Sequence, residues 1–229
     1  MKNATRISFK VFLSSLAISA LGLISFGQNS TANFTGILIY KITPRDSVQN
    51  NVSAHSTMVI YTNDTITRTE NYTNSLGKQV SIRHIELNKS YLLVAINDTS
   101  KYAIQTNLNT PDSLKKESKY TFKFKAFKRK IRGMKAKRVN VDHPDFDGAV
   151  EFLYLKNSSN KYLNNFGQIP GLLVKYSIAT PNGVFDYELV KFERFLPSHN
   201  LFGIPSDYKR VSVETFMKEL MNARDLNPE

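Results

Sequence analysis

In Tyr120-Thr121-Phe122-Lys123-Phe124-Lys125-Ala126-Phe127 the rings of Tyr120, Phe122 and Phe124 alternate with Thr121, Lys123 and Lys125. A helix would wind those rings around its whole circumference, whereas a strand puts Tyr120, Phe122 and Phe124 on one face and Lys123 and Lys125 on the other. The same period of two runs upstream. In Phe34-Thr-Gly-Ile-Leu-Ile-Tyr-Lys-Ile42 it sets Ile37, Ile39 and Lys41 against Leu38, Tyr40 and Ile42. It predicts strands over 56–60, 65–73, 80–87, 90–96 and 102–106, divided by turn chemistry at Asn63-Asp64, Asn88-Lys89 and Asn97-Asp98. Downstream it predicts strands over 136–141, 150–155, 172–179 and 185–195, with turns at Arg132-Gly133, Asp145–Gly148 and Pro181-Asn182-Gly183. Helical periodicity is clear at one place: Ser212 is a good N-cap, and Phe216, Met217, Leu220 and Met221 form an apolar stripe. Many short antiparallel strands with one late helix predict a mainly β fold, a large curved antiparallel sheet or open half-barrel.

The first 27 residues read differently from the rest. Lys2, Arg6 and Lys10 precede an apolar run from Val11 to Phe26, and Ser25-Phe26-Gly27 supplies small residues at a cleavage site before Gln28. That is the layout of a secretory signal peptide. The expected organisation is therefore a signal peptide over 1–27 and one β-rich domain over 28–229, exported to the periplasm. Removing the leader lowers the formal charge from +12 to +9. There is no cysteine, so disulfides, thiol nucleophiles and lipidation at the cleavage site are excluded.

The most unusual composition lies between Lys115 and Arg138, with twelve Lys or Arg and one acid, Glu117. Lys123, Lys125, Lys128, Arg129, Lys130 and Arg132 are the candidate contacts for an anionic surface. Anionic lipid headgroups or an acidic protein would suit them, and so would a solvated sheet edge whose lysines deter strand addition. Nucleic acid is not expected, because rings and cations fall on opposite faces. Asp142-His143-Pro144-Asp145-Phe146-Asp147-Gly148 lacks the ligand spacing of a calcium loop and reads as a turn. His55, His84, His143 and His199 are scattered, and neither a Gly-x-Ser-x-Gly elbow nor a phosphate loop occurs. Asp186 and Glu188 fall on one strand face and Glu193 on the other, which marks no acid/base pair. Catalytic residues, metal ligands and cofactors are accordingly not assigned.

Three stretches carry a family resemblance. Phe166-Gly-Gln-Ile-Pro-Gly-Leu-Leu-Val-Lys-Tyr176 resembles the motif that names the GLPGLI family of exported bacterial β-proteins. Leu201-Phe-Gly-Ile-Pro-Ser-Asp-Tyr-Lys209 is similar to the ending of those chains, and Lys130–Arg138 looks like their central hairpin. Leu172-Leu173 stands where that family tends to have Leu-Pro, and Ala136 where relatives often carry Cys. The resemblance implies a LolA/LolB-like, lipoprotein-carrier-like sheet and brings no catalytic residues. Within the motifs Pro170 and Gly171 permit a tight turn, and Leu172, Val174 and Tyr176 are expected on one strand face. Pro205 is expected to fix the entry of the C-terminal helix.

These readings lead to an exported, non-enzymatic binding or carrier protein. Its expected ligand is a lipid or lipoprotein acyl chain held in an apolar cavity under a lid formed by Phe216, Met217, Leu220 and Met221. The alternative is an accessory subunit of an outer-membrane assembly or secretion complex, docking through the basic hairpin or a sheet edge.

Overall fold

The computed structural model describes residues 33–45, 56–73, 77–107, 119–163 and 165–225; the leader and its cleavage site lie outside them. Twelve strands follow in chain order: β1 (Gly36–Pro44), β2 (Ser56–Thr62), β3 (Ile66–Thr73), β4 (Gly77–His84), β5 (Lys89–Ala95) and β6 (Lys101–Asn107), then β7 (Thr121–Ile131), β8 (Met134–Asp142), β9 (Val150–Leu155), β10 (Leu172–Thr180), β11 (Gly183–Arg194) and β12 (Lys209–Ser212). A helix, α1 (Val213–Asp225), ends the described chain. The strands form one open, curved, mainly antiparallel sheet, as the alternation predicts. Its order is β12-β6-β5-β4-β3-β2-β1-β11-β10-β9-β8-β7. The first half of the chain winds outward from β1, the second half winds inward to β11, and the β1–β11 pairing joins them.

Local chemistry explains the joints. Asn63 Oδ1 accepts the backbone N–H groups of Thr65 and Ile66, and Asp64 adopts a positive φ. Arg132 and Gly133 take φ values of 46° and 79° in a two-residue turn, the geometry that matches the twist of its flanking strands. A Cβ at Gly171 would stand 2.3 Å from the Leu155 carbonyl oxygen, so the β9–β10 loop can close there only on glycine. Ser212 Oγ accepts the Thr215 N–H at 3.1 Å and caps α1 as expected. β12 was not legible from periodicity: it pairs parallel to β6 and separates Pro205 from the helix whose entry that proline was expected to set.

The main apolar cluster lies on opposite faces in the two halves of the sheet. Leu38, Tyr40, Ile60, Val139, Phe152 and Tyr176 mark one face, here called the Tyr40 face. The loop over 156–171 covers it with Tyr162, Leu163, Phe166 and Ile169, and Phe166 sets its ring edge-on against Tyr120, Phe122, Phe152 and Tyr176. From β3 outward the same face turns polar, carrying Thr67, Arg83 and Ser90 in register. The apolar cluster there lies on the opposite, Lys41 face, where Val80, Ile82, Leu93 and Ala103 meet Ile204 and Tyr208. Strict alternation hides this exchange, because each strand is amphipathic on either account.

Two bulges correct face assignments drawn from alternation. An irregularity between Leu173 and Lys175 leaves Leu173 facing with Tyr154 and Leu172 facing with Leu155, so Leu172 does not share the face of Tyr176. Another, opposite Ile39 and Tyr40, brings Glu193 onto the face of Asp186 and Glu188, in register with Ile37, Thr43 and Lys41.

Candidate functional site

The β7–β8 hairpin forms one edge of the sheet, and nearly every residue of β7 is exposed. Up to Lys125 it follows the alternation: Phe122 packs edge-on to Phe166 and Phe124 to Tyr154, with Lys123 and Lys125 on the Lys41 face. A bulge then falls between Lys125 and Lys128, taking up Ala126 and Phe127. Because it takes up two residues, the alternation keeps its phase, and even-numbered residues of β7 stay on the Tyr40 face beyond it. Past the bulge Ile131 and Met134 pack against the large core and Ala136 is fully buried, all on the Lys41 face. The Tyr40 face of the tip is left to Lys128, Lys130, Lys135 and Lys137.

The register makes this arrangement costly. Lys128 lies directly opposite Lys137, and Lys130 directly opposite Lys135. Cβ atoms in such pairs stand about 5 Å apart, and like charges so placed are destabilising. Lys128, Lys130 and Lys135 are exposed and Lys137 is half-buried. Among the described residues none of the four pairs with a carboxylate, whereas most cations on the other face of the same hairpin do. There Lys123 meets Asp142 at 3.2 Å, Arg129 meets Glu151 at 2.6 Å, Arg132 meets Glu188 at 3.0 Å, and Arg138 also pairs with Glu151. Burial alone would raise the Glu151 pKa, but hydrogen bonds from Arg129 and Arg138 outweigh it and hold the carboxylate below its usual range. Phe127, in the bulge beside Lys128, is 76% exposed, the most open ring of the described chain, and Phe124 is 50% exposed.

The six cations singled out from sequence thus divide into two groups. Lys123, Arg129 and Arg132 are ion-paired; Lys128 and Lys130 belong to the unpaired tip, and Lys125 stands exposed on the paired face. Lys135, Lys137 and Phe127 were missed. A signal existed for the two lysines, since a two-residue turn at Arg132-Gly133 sets Ile131 opposite Met134 and, counting back, lysine opposite lysine.

The apolar helix residues sit elsewhere. α1 packs against β6 and β12 at the far edge, where Phe216 meets Tyr102 at 5.3 Å and Glu219 holds Lys209 at 2.6 Å. Met217 is 43% exposed, Leu220 is half-buried, and the Met221 side chain lies outside the described residues. Of the motif residues, Leu172 is fully buried, Pro170 and Pro205 are exposed, and Gly171 closes the loop over the core.

Two polar clusters elsewhere in the fold bear on a chemical reading. Ser177 Oγ donates to Asp186 Oδ1 at 2.6 Å and accepts from Arg45 at 2.7 Å, while Arg45 also bonds Asp186. No imidazole bonds that serine among the described residues, and the carboxylate and guanidinium satisfy each other. The His143 ring stands 4.2 Å from that of Tyr120 at a tilt of 36°, and burial lowers its pKa below the ordinary imidazole value. No group of three His, Asp or Glu among the described residues could hold a metal ion. No described helix is long and apolar enough to cross a membrane.

No family model matches the chain, and no curated protein matches it. Among solved structures it is similar to those of PNGF-II in the P21 and C2 space groups, at TM-scores of 0.48 and 0.47 and 16% sequence identity. The match covers 82% of this chain, which spans 33% of the length of that one.

Proposed function

We propose that the protein is a non-enzymatic binding module of the cell envelope that docks onto an anionic partner through the tip of the β7–β8 hairpin. The observation that carries this reading is the pair of opposed lysine couples, Lys128 with Lys137 and Lys130 with Lys135, left without carboxylates on a hairpin whose other face has them. A surface kept only for solubility would interleave charges of both signs. The expected carrier cavity is the weaker reading, since the apolar face a lipid would need is occupied by the chain's own Tyr162, Phe166 and Ile169.

Retention on immobilised inorganic polyphosphate tests the site against net charge. The double variant Lys128→Glu/Lys130→Glu is compared with Lys89→Glu/Lys175→Glu, which removes the same charge from exposed positions elsewhere. The tip variant should elute at clearly lower salt than the control variant. Equal elution of the two would reduce the hairpin to general basicity and overturn the reading.

A further inference from the structure

The docking reading leaves the chemistry of the partner open; the geometry of the tip narrows it. We propose that the Tyr40 face of the hairpin tip binds the surface of an anionic lipid bilayer, with Lys128, Lys130, Lys135 and Lys137 on the headgroups and Phe127 inserted between them.

Along β7 the Tyr40 face changes from rings to cations: Phe122 and Phe124 are followed on it by Lys128 and Lys130, and Lys135 and Lys137 join them from β8. The bulge that takes up Ala126 and Phe127 falls at this change and leaves the Phe127 ring open to solvent next to Lys128. A soluble phosphate or an acidic peptide loop would need the cations alone. A ring held 76% exposed beside a cluster of unpaired lysines is the pairing that an interface of charged headgroups over hydrocarbon accommodates. β9 pairs with β8 over Lys137–Val141 and not with Met134–Ala136, so β9 does not flank Lys135. The tip's other face is fastened by Arg129–Glu151 and Arg132–Glu188, so the approaching face is presented on a rigid support.

Each lysine near a negatively charged leaflet contributes roughly fivefold in affinity, and the ring about tenfold if it inserts. The experiment is co-sedimentation of the full chain with vesicles of phosphatidylglycerol in phosphatidylcholine, and with phosphatidylcholine alone. The quantity read is the excess binding to the anionic vesicles, and it is compared between variants that all carry the same N-terminal segment with Lys2, Arg6 and Lys10. Lys128→Glu/Lys130→Glu should lower that excess at least about thirtyfold. Phe127→Ser should lower it about tenfold while leaving retention on polyphosphate unchanged.

This inference rests on the docking reading, and the two fail separately. If Lys128→Glu/Lys130→Glu weakens polyphosphate retention but Phe127→Ser leaves vesicle binding untouched, the lipid surface is overturned and an acidic soluble partner takes its place. If the lysine variant changes neither vesicle nor polyphosphate binding, both readings fall.

Discussion

At Glu70 a single carboxylate, 8% exposed, gathers Arg68 at 2.7 Å, Lys78 at 3.0 Å and the Tyr72 hydroxyl at 2.7 Å, whereas at the β7–β8 tip four lysines gather no carboxylate among the described residues. Both sites are cross-strand arrangements on the same sheet, and both could have been built either way. In β3–β4 the charges complement one another and close onto the sheet, so they belong to the fold. At the tip the charges oppose one another and stay open, so the fold gains nothing from them. Unpaired charge maintained against its own repulsion points outward, to something not contained in the chain. Within the hairpin the contrast recurs at shorter range, since Glu151 serves the cations of one face and leaves the other unserved.

The sharpest way to break the comparison is at Glu70. Glu70→Ala would leave Arg68, itself largely buried, without its carboxylate, and should cost about 2–3 kcal/mol in urea unfolding. The acid limb gives a second readout. Burial alone would raise the Glu70 pKa, but hydrogen bonds from Arg68, Tyr72 and Lys78 prevail and hold it below the ordinary value. A carboxyl depressed in the folded state contributes stability above its unfolded pKa of about 4.3 and loses it as pH falls through the folded value. Glu70→Gln should therefore be destabilised at pH 6 yet lose less further stability than the wild type on going to pH 3. Parallel acid limbs would mean that the cluster is no more structural than the tip.

Glu151→Gln is the intermediate case. It releases Arg129 and weakens Arg138 on a partly exposed face, so the expected loss is about 1 kcal/mol. Amide exchange should quicken across the hairpin beyond the bulge and stay unchanged in β3–β4. Uniform acceleration across the sheet would show that the tip is not separately fastened.

Why the sequence disclosed the strands but not the site follows from what alternation can encode. Val150–Leu155 and Leu172–Thr180 were legible because a half-buried strand must alternate and its turns need Gly, Asn or Pro. β12 escaped because four residues are too few to show a period and parallel pairing with β6 is a tertiary choice. The placement of the apolar cluster on opposite faces in the two halves escaped for a different reason. Val80 and Ile82 alternate whichever face is covered, and only Ile204 and Tyr208, more than a hundred residues on, decide it. The face assignment from Tyr120-Thr-Phe-Lys-Phe-Lys holds up to Lys125 and, since the bulge takes up two residues, beyond it as well; lysine opposes lysine because of the turn at Arg132-Gly133. What no residue type announces is the bulge itself, which leaves the Phe127 ring exposed. Helix placement was equally tertiary. The Phe216 stripe is amphipathic, but its contact is Tyr102 at the far edge, and the large core is covered by a loop that has no period at all.

The smallest expected effect is the most discriminating, because its sign is opposite to the rest. Lys130→Glu places a carboxylate directly across from Lys135 and diagonal to Lys137, turning a repulsive cross-strand couple into an attractive one. If the tip exists for binding, this substitution should raise stability by a few tenths of a kcal/mol while lowering attachment to anionic vesicles. Salt sharpens the test. Screening relieves repulsion in the wild type and weakens attraction in the variant, so the stability gap should narrow between low and high ionic strength. Loss of stability at every salt concentration would mean that Lys130 already has a structural role in the folded chain. The tip would then resemble Glu70 after all, and its open lysines would no longer point to a partner.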